Sequence, residues 1–127
     1  MLLAVCQELG IESRLVPRIA TAFGGGIGRT GAVCGAVVGG TMAIGLRHGR
    51  EEASQSRDRA YTLGQEFRRR FEEEMGTISC RELTGVDLST PEGLERFRSS
   101  DVPERVCRRA RGVAFRLVMG LLDGQRG

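Results

Sequence analysis

The residues with the widest chemical reach in this chain are its four cysteines, Cys6, Cys34, Cys80 and Cys107. None stands in a CxxC pair, which excludes a zinc ribbon or a ferredoxin-like local motif. Any site they share must be assembled by folding from distant segments. The helices read below put Cys34 in or just after the first turn of one helix. Cys80 takes the first position of another, and Cys107 lies about one turn into the last. Helix N-termini carry free N–H groups and the positive end of the dipole, which stabilise a thiolate and lower its pKa. Thiolate is the form that attacks disulfides and ligates metals. Cys6 differs: it sits near the C-terminal end of its helix, where the dipole disfavours an anion, and reads as a small buried hydrophobe. For the other three, ordinary core packing and a shared redox or metal site both stand open.

His48 is the only histidine, so a Cys₂His₂ site is excluded; covalent haem is excluded too, because the chain has no CxxCH. At a predicted helix C-terminus a cationic imidazole is favoured, and capping is its simplest role; an axial or cluster ligand is the alternative. Gly26-Ile27-Gly28-Arg29-Thr30-Gly31 matches GxGxxG, and Glu51 lies 20 residues after Gly31, the outline of a dinucleotide fingerprint. That fingerprint needs a strand before it and a second strand carrying the acid. Here Pro17 and helical spacing precede the glycines, and His48 to Glu51 reads as a turn. A Walker A loop fails because the chain has no lysine. The glycines therefore read as a loop joining two helices, with the N–H groups from Arg29 to Ala32 a candidate anion site.

The elements that must position these residues are helices, since no strand alternation is present. Leu2 to Leu9 reads as the end of a helix stopped by Gly10. Ser13 can cap a second, carrying Leu15, Val16, Ile19 and Phe23, with Pro17 tolerated near its first turn. A third runs from Thr30 or Gly31 to about Leu46, and a fourth from about Glu51 to Met75. The fourth has an apolar face of Ala60, Gly64, Phe67, Phe71 and Met75. Ser79 and Glu82 fit a capping box ahead of a short helix ending at Gly85. Thr90-Pro91 opens another short helix within the otherwise irregular stretch from Gly85 to Val102. The last helix starts near Pro103, with a stripe of Val106, Ala110, Val113, Ala114, Leu117, Val118 and Leu121. In the third helix Gly31, Gly35, Gly39, Gly40 and Gly45 together cost about 5 kcal/mol relative to alanine. Gly31, Gly35 and Gly39 stand four apart, a face that admits a very close neighbour: another helix, a second chain, or a ligand.

At 127 residues the chain has room for one domain, 1–127, and 40% hydrophobic with 28% charged residues is a globular balance. The expected fold is all-α, a single-domain helical bundle around the central glycine-rich helix. The net charge of +3 comes from 19 arginines interleaved with 16 acids, without the uncompensated basic stripe of a nucleic-acid protein. The longest uncharged run, Thr30 to Leu46, is at the bottom of the spanning range, contains five glycines and is bracketed by Arg29 and Arg47, so membrane insertion is not expected. The first residues, MLLAVCQEL, lack a basic region and reach Glu8 too soon for a signal peptide. A cytoplasmic location is the expectation, where structural disulfides are rare.

Phe23-Gly24-Gly25-Gly26-Ile27-Gly28-Arg29 followed by Cys34-Gly35-Ala36-Val37-Val38-Gly39 resembles the family named for its pattern C-GCAxxG-C-C. The likeness continues at Cys80-Arg81-Glu82-Leu83-Thr84-Gly85, at Asp87-Leu88-Ser89-Thr90-Pro91-Glu92-Gly93, and at Cys107. The non-haem part of split-Soret cytochrome c looks similar. The resemblance implies a small helical redox-active protein, working with a partner oxidoreductase, and carries over Cys34, Cys80 and Cys107. The family's first cysteine precedes a hydrophobic stretch like Leu2-Leu3-Ala4-Val5. It would fall before Met1, leaving Cys6 a separate residue and a three-thiolate site completed by water, substrate or another ligand. The expected site therefore gathers Cys34, Cys80 and Cys107 as catalytic residues or metal ligands, for an iron–sulfur cluster, another metal, or thiol–disulfide exchange. Gly26, Gly28, Arg29 and Gly35 would contact a bound group, and Arg29, Arg81 and Arg108 would balance its charge. The alternative is a structural module whose glycine faces join two chains as a homodimer.

Overall fold

The computed structural model describes residues 1–124, so the last three residues of the expected 1–127 unit lie outside the described residues. Every regular element described is helical. In chain order these are α1 (Leu2–Leu9), α2 (Leu15–Ala20), α3 (Gly35–His48), α4 (Asp58–Met75), α5 (Cys80–Thr84), α6 (Pro91–Arg98) and α7 (Arg108–Gly124). Helices α3, α4 and α7 pack on one another, and α1 lies along α3 and reaches α7. Ile44, Phe67, Phe71, Val118 and Leu122 are fully buried at the centre, with Val5 and Cys6 from α1 closing the same core. The stripe expected on the last helix is the buried face of α7, with only Val106, ahead of that helix, half-exposed.

The glycines of α3 explain how the bundle closes so tightly. A Cβ at Gly40 would overlap the Phe67 ring and stand 3.2 Å from Val118 Cγ2. One at Gly39 would meet the start of α1, 3.4 Å from the Leu2 nitrogen, and one at Gly35 would lie 3.1 Å from the Phe23 carbonyl oxygen. The close neighbours are thus elements of this same chain, while Gly45 faces open space. Gly31 is not part of this row: it has φ 71° and lies ahead of the helix, which begins only at Gly35.

Other boundaries also moved. Glu51 to Gln55 is a turn, not the start of α4. The Gln55 side-chain carbonyl accepts from the Glu51 N–H (2.7 Å) and the Glu52 N–H, and Arg50 donates to the Ala53 carbonyl. Such side-chain bonds to backbone compete with helix formation. On α4 the fully covered face is Leu63, Phe67 and Phe71, with Ala60, Gly64 and Met75 at its margins. Helix α2 lasts six residues, too few to carry Phe23 on its face, and the chain tightens into a 3₁₀ turn over Thr21–Phe23. Only Val16 of α2 is buried; Leu15 and Ile19 are exposed. The short caps are as expected: Gly10 is left-handed behind α1, and Thr90 accepts from the Gly93 N–H (3.0 Å) with Pro91 at the first position of α6. Ser79 accepts from the Glu82 N–H, but the return arm of the capping box is absent because Thr77 Oγ1 takes the Ser79 N–H.

Candidate functional site

The backbone between α2 and α3 is built around a left-handed turn. From Gly25 through Arg29 every residue has positive φ, including the non-glycines Ile27 (64°) and Arg29 (66°). This conformation is strongly disfavoured for residues with a Cβ and open to glycine, which is why the segment is so rich in it. Gly26 is needed twice over, since a Cβ there would stand 2.5 Å from Cys80 Cβ and 2.8 Å from the Ala32 nitrogen. The turn also uses up its own donors. The N–H groups of Arg29, Thr30, Gly31 and Ala32 donate to the carbonyls of Gly24, Ile27, Gly25 and Gly26. The expected anion site on those N–H groups is therefore absent. The dinucleotide reading falls with it, for no strand precedes the glycines and their amides are occupied.

Beyond the turn, the chain pairs briefly with the segment leading into α5. Val33 and Ser79 form an isolated antiparallel bridge. Around it the Cys34 N–H donates to the Ile78 carbonyl (2.7 Å), and the Cys80 N–H to the Ala32 carbonyl (2.7 Å). Alternation across such a bridge puts Cys34 and Cys80 on one side, diagonal to each other. Cys34 is the residue that caps the start of α3, one position before the helix rather than inside its first turn. Cys107 arrives from the third direction. It closes a wide π turn, Pro103–Cys107, from which α7 continues; such turns insert a residue and re-aim the side chains beside it.

All three of these cysteines line one open cavity of about 780 Å³. Its wall includes each of the expected contact residues, Gly26, Gly28, Arg29 and Gly35. Phe23, Leu88, Leu94 and Phe97 make it largely apolar, and no aspartate or glutamate borders it. Leu88, Leu94 and Phe97 belong to a small second core that packs on Cys80, so the stretch from Gly85 to Val102 forms one wall of the cavity. Cys6 stands apart, fully buried in the main core. All four cysteines are free thiols.

The electrostatics differ from the helix-dipole expectation. Burial pushes the Cys80 thiol up to about 11, and the neighbouring Cys34 and Cys107 add to the shift. Cys107 is also raised, by burial and then by Cys34, against a smaller lowering by Arg111. For Cys80, with α5 only five residues long, desolvation and two like neighbours outweigh any dipole. Of the arginines expected beside the thiols, Arg29 borders the cavity; Arg81 pairs with Asp87 (3.7 Å) and Arg108 with Glu104 (3.1 Å), both outside it. Arg98 and Arg111 take the positions that sequence reasoning missed. Arg111 was within reach of that reasoning, since it stands four residues after Cys107 and so shares its helix face. Arg98, Phe97 and Leu94 carried no such signal.

His48 does not reach the cavity. Burial first, then Arg59 and Arg47, lower its pKa, and its Nε2 is buried with no hydrogen-bond partner among the described residues. It stands in the last turn of α3 as expected, where burial and the two arginines disfavour the cationic form, and it is not placed to be a ligand of this site.

The fold is a helical bundle in which three cysteines from separate segments line one arginine-bordered cavity. The chain belongs to the family described as "Putative redox-active protein (C_GCAxxG_C_C)", whose model matches residues 1–121. No curated protein and no solved structure matches the chain. No helix among the described residues is long and apolar enough to cross a membrane.

Proposed function

We propose that the protein is a dithiol redox component that exchanges electrons with disulfides in this cavity. The observation that carries the reading is convergence. Cys34, Cys80 and Cys107 come from three distant segments and open into one space, while Cys6 is sealed in the core. Cys34, half-buried at the mouth of α3, attacks a substrate disulfide as thiolate. The substrate S–S bond breaks, a mixed disulfide forms, and one substrate thiolate leaves. Cys80 gives its proton to that departing thiolate and attacks Cys34 Sγ; the second substrate thiolate leaves and takes up from solvent the proton that Cys34 lost on ionising. Two protein thiols have become a Cys34–Cys80 disulfide, and two electrons have passed to the substrate. A partner oxidoreductase returns two electrons and two protons.

A second reading, an iron–sulfur centre, is favoured by the presence of three thiols where exchange needs two. A single metal ion does not fit: among the described residues no three His, Cys, Asp or Glu side chains are grouped to hold one. A cluster takes four thiolates, of which Cys34, Cys80 and Cys107 would supply three; it would bring one-electron transfer.

Anaerobic purification followed by iron analysis and visible spectra separates the two. Colourless, iron-free protein that forms a Cys34–Cys80 disulfide on mild oxidation, mapped by peptide mass, is the expected result, and Cys107→Ser retains that disulfide. Stoichiometric iron lost in Cys107→Ser establishes the cluster instead. Iron-free protein whose three thiols stay unpaired under oxidant ends both readings.

A further inference from the structure

Beyond the thiols, the cavity carries a charge pattern that the reaction itself does not require. Arg29, Arg98 and Arg111 border it from three separate segments, and among the described residues no carboxylate borders the space with them. Arg68, Arg69, Arg70, Arg81, Arg105, Arg108 and Arg116 form ion pairs outside the cavity. Arg29, Arg98 and Arg111 form none among the described residues, a state they share with Arg14, Arg18, Arg47, Arg96 and Arg109, but only these three border the thiols. Arg29 is held there by its left-handed backbone, and its side chain folds over Gly25, where a Cβ would come within 2.8 Å of Arg29 Cγ. Guanidinium groups bind carboxylates in a planar, two-bond geometry. The rest of the wall is apolar, and about 780 Å³ is the size of a small-molecule site.

We propose, resting on the dithiol reading above, that the substrates are small disulfides bearing carboxylates, whose acids are taken by Arg29, Arg98 and Arg111 while the disulfide lies against Cys34. The exchange is balanced as before: the protein dithiol becomes a disulfide and the substrate leaves as two carboxylate-bearing thiols. The oxidised protein is recharged by a dithiol reductant. Positive charge at the rim also steers anions to the site, so the preference appears in the rate of encounter and weakens with salt.

The test is a charge series on the full-length reduced protein. Its single-turnover oxidation is followed with glutathione disulfide (anionic), hydroxyethyl disulfide (neutral) and cystamine (cationic), each normalised to its rate with free dithiothreitol. The anionic disulfide is expected to react about tenfold faster than the neutral one, and the cationic one slowest. In the double variant Arg98→Gln, Arg111→Gln the anionic advantage falls to about twofold or less. Arg116→Gln, which lies outside the cavity, keeps it. Equal normalised rates for all three disulfides would overturn the proposed selectivity and leave the dithiol chemistry standing. Failure to react with any of them overturns the dithiol reading itself. The wild-type series decides the matter even if the double variant does not fold.

Discussion

Cys80 is the thiol most constrained by its surroundings, with burial and two neighbouring thiols all opposing its ionisation. A thiol held at about 11 in the folded chain, against an ordinary value of 9.0, keeps its proton to higher pH when folded. Its contribution to stability is therefore complete below pH 9 and fades as the pH rises to about 11. Urea unfolding across that window should show wild type losing up to about 3 kcal/mol more than Cys80→Ser. Equal alkaline slopes in the two proteins would contradict the assigned environment. The cysteines themselves were legible as site candidates from the chain. Their protonation behaviour was not, because a helix terminus can be read from local sequence whereas desolvation and like-charged neighbours cannot.

Helix α3 shows how glycine serves opposite ends within one element. Gly40 is wedged against Phe67 and Val118 in the closed core, so Gly40→Ala should destabilise by about 1–3 kcal/mol through overpacking. Gly45 has open space where a Cβ would go and sits in the same helix, so Gly45→Ala should stabilise by about 0.5–1 kcal/mol. Chemical denaturation of the two variants checks both signs at once. The unusual glycine content of this helix was visible in the sequence, and with it the need for a close neighbour. Its starting point was not. Helical spacing carried the reading back to Thr30, but Gly31 lies outside the helix and the amides before it are held by the left-handed turn. Local periodicity contains no information about handedness.

For the molecule as a whole, the turn from Gly25 to Arg29 acts as the joint that holds the α3 and α5 segments together. A Cβ at Gly26 would overlap Cys80 Cβ on one side and the Ala32 backbone on the other, directly beside the bridge that aligns Cys34 with Cys80. Gly26→Ala should cost at least about 2 kcal/mol, from left-handed strain plus overpacking, and should also slow intramolecular Cys34–Cys80 disulfide formation. Denaturant titration and timed alkylation report the two effects separately. Loss of stability with an unchanged pairing rate would show that the turn does not position the thiols.

Most of the helices, the α7 core stripe, the short caps at Gly10, Ser79 and Thr90, and the candidacy of three cysteines for a shared site follow from the chain alone. They depend on spacing, capping chemistry and a family pattern, all of which are local or written in the order of residues. Which arginines face the thiols, which wall Leu88, Leu94 and Phe97 form, and how burial acts on Cys80 were decided only in three dimensions. Those properties arise from groups dozens of positions apart, and the forces concerned depend on distance and on excluded water rather than on sequence separation.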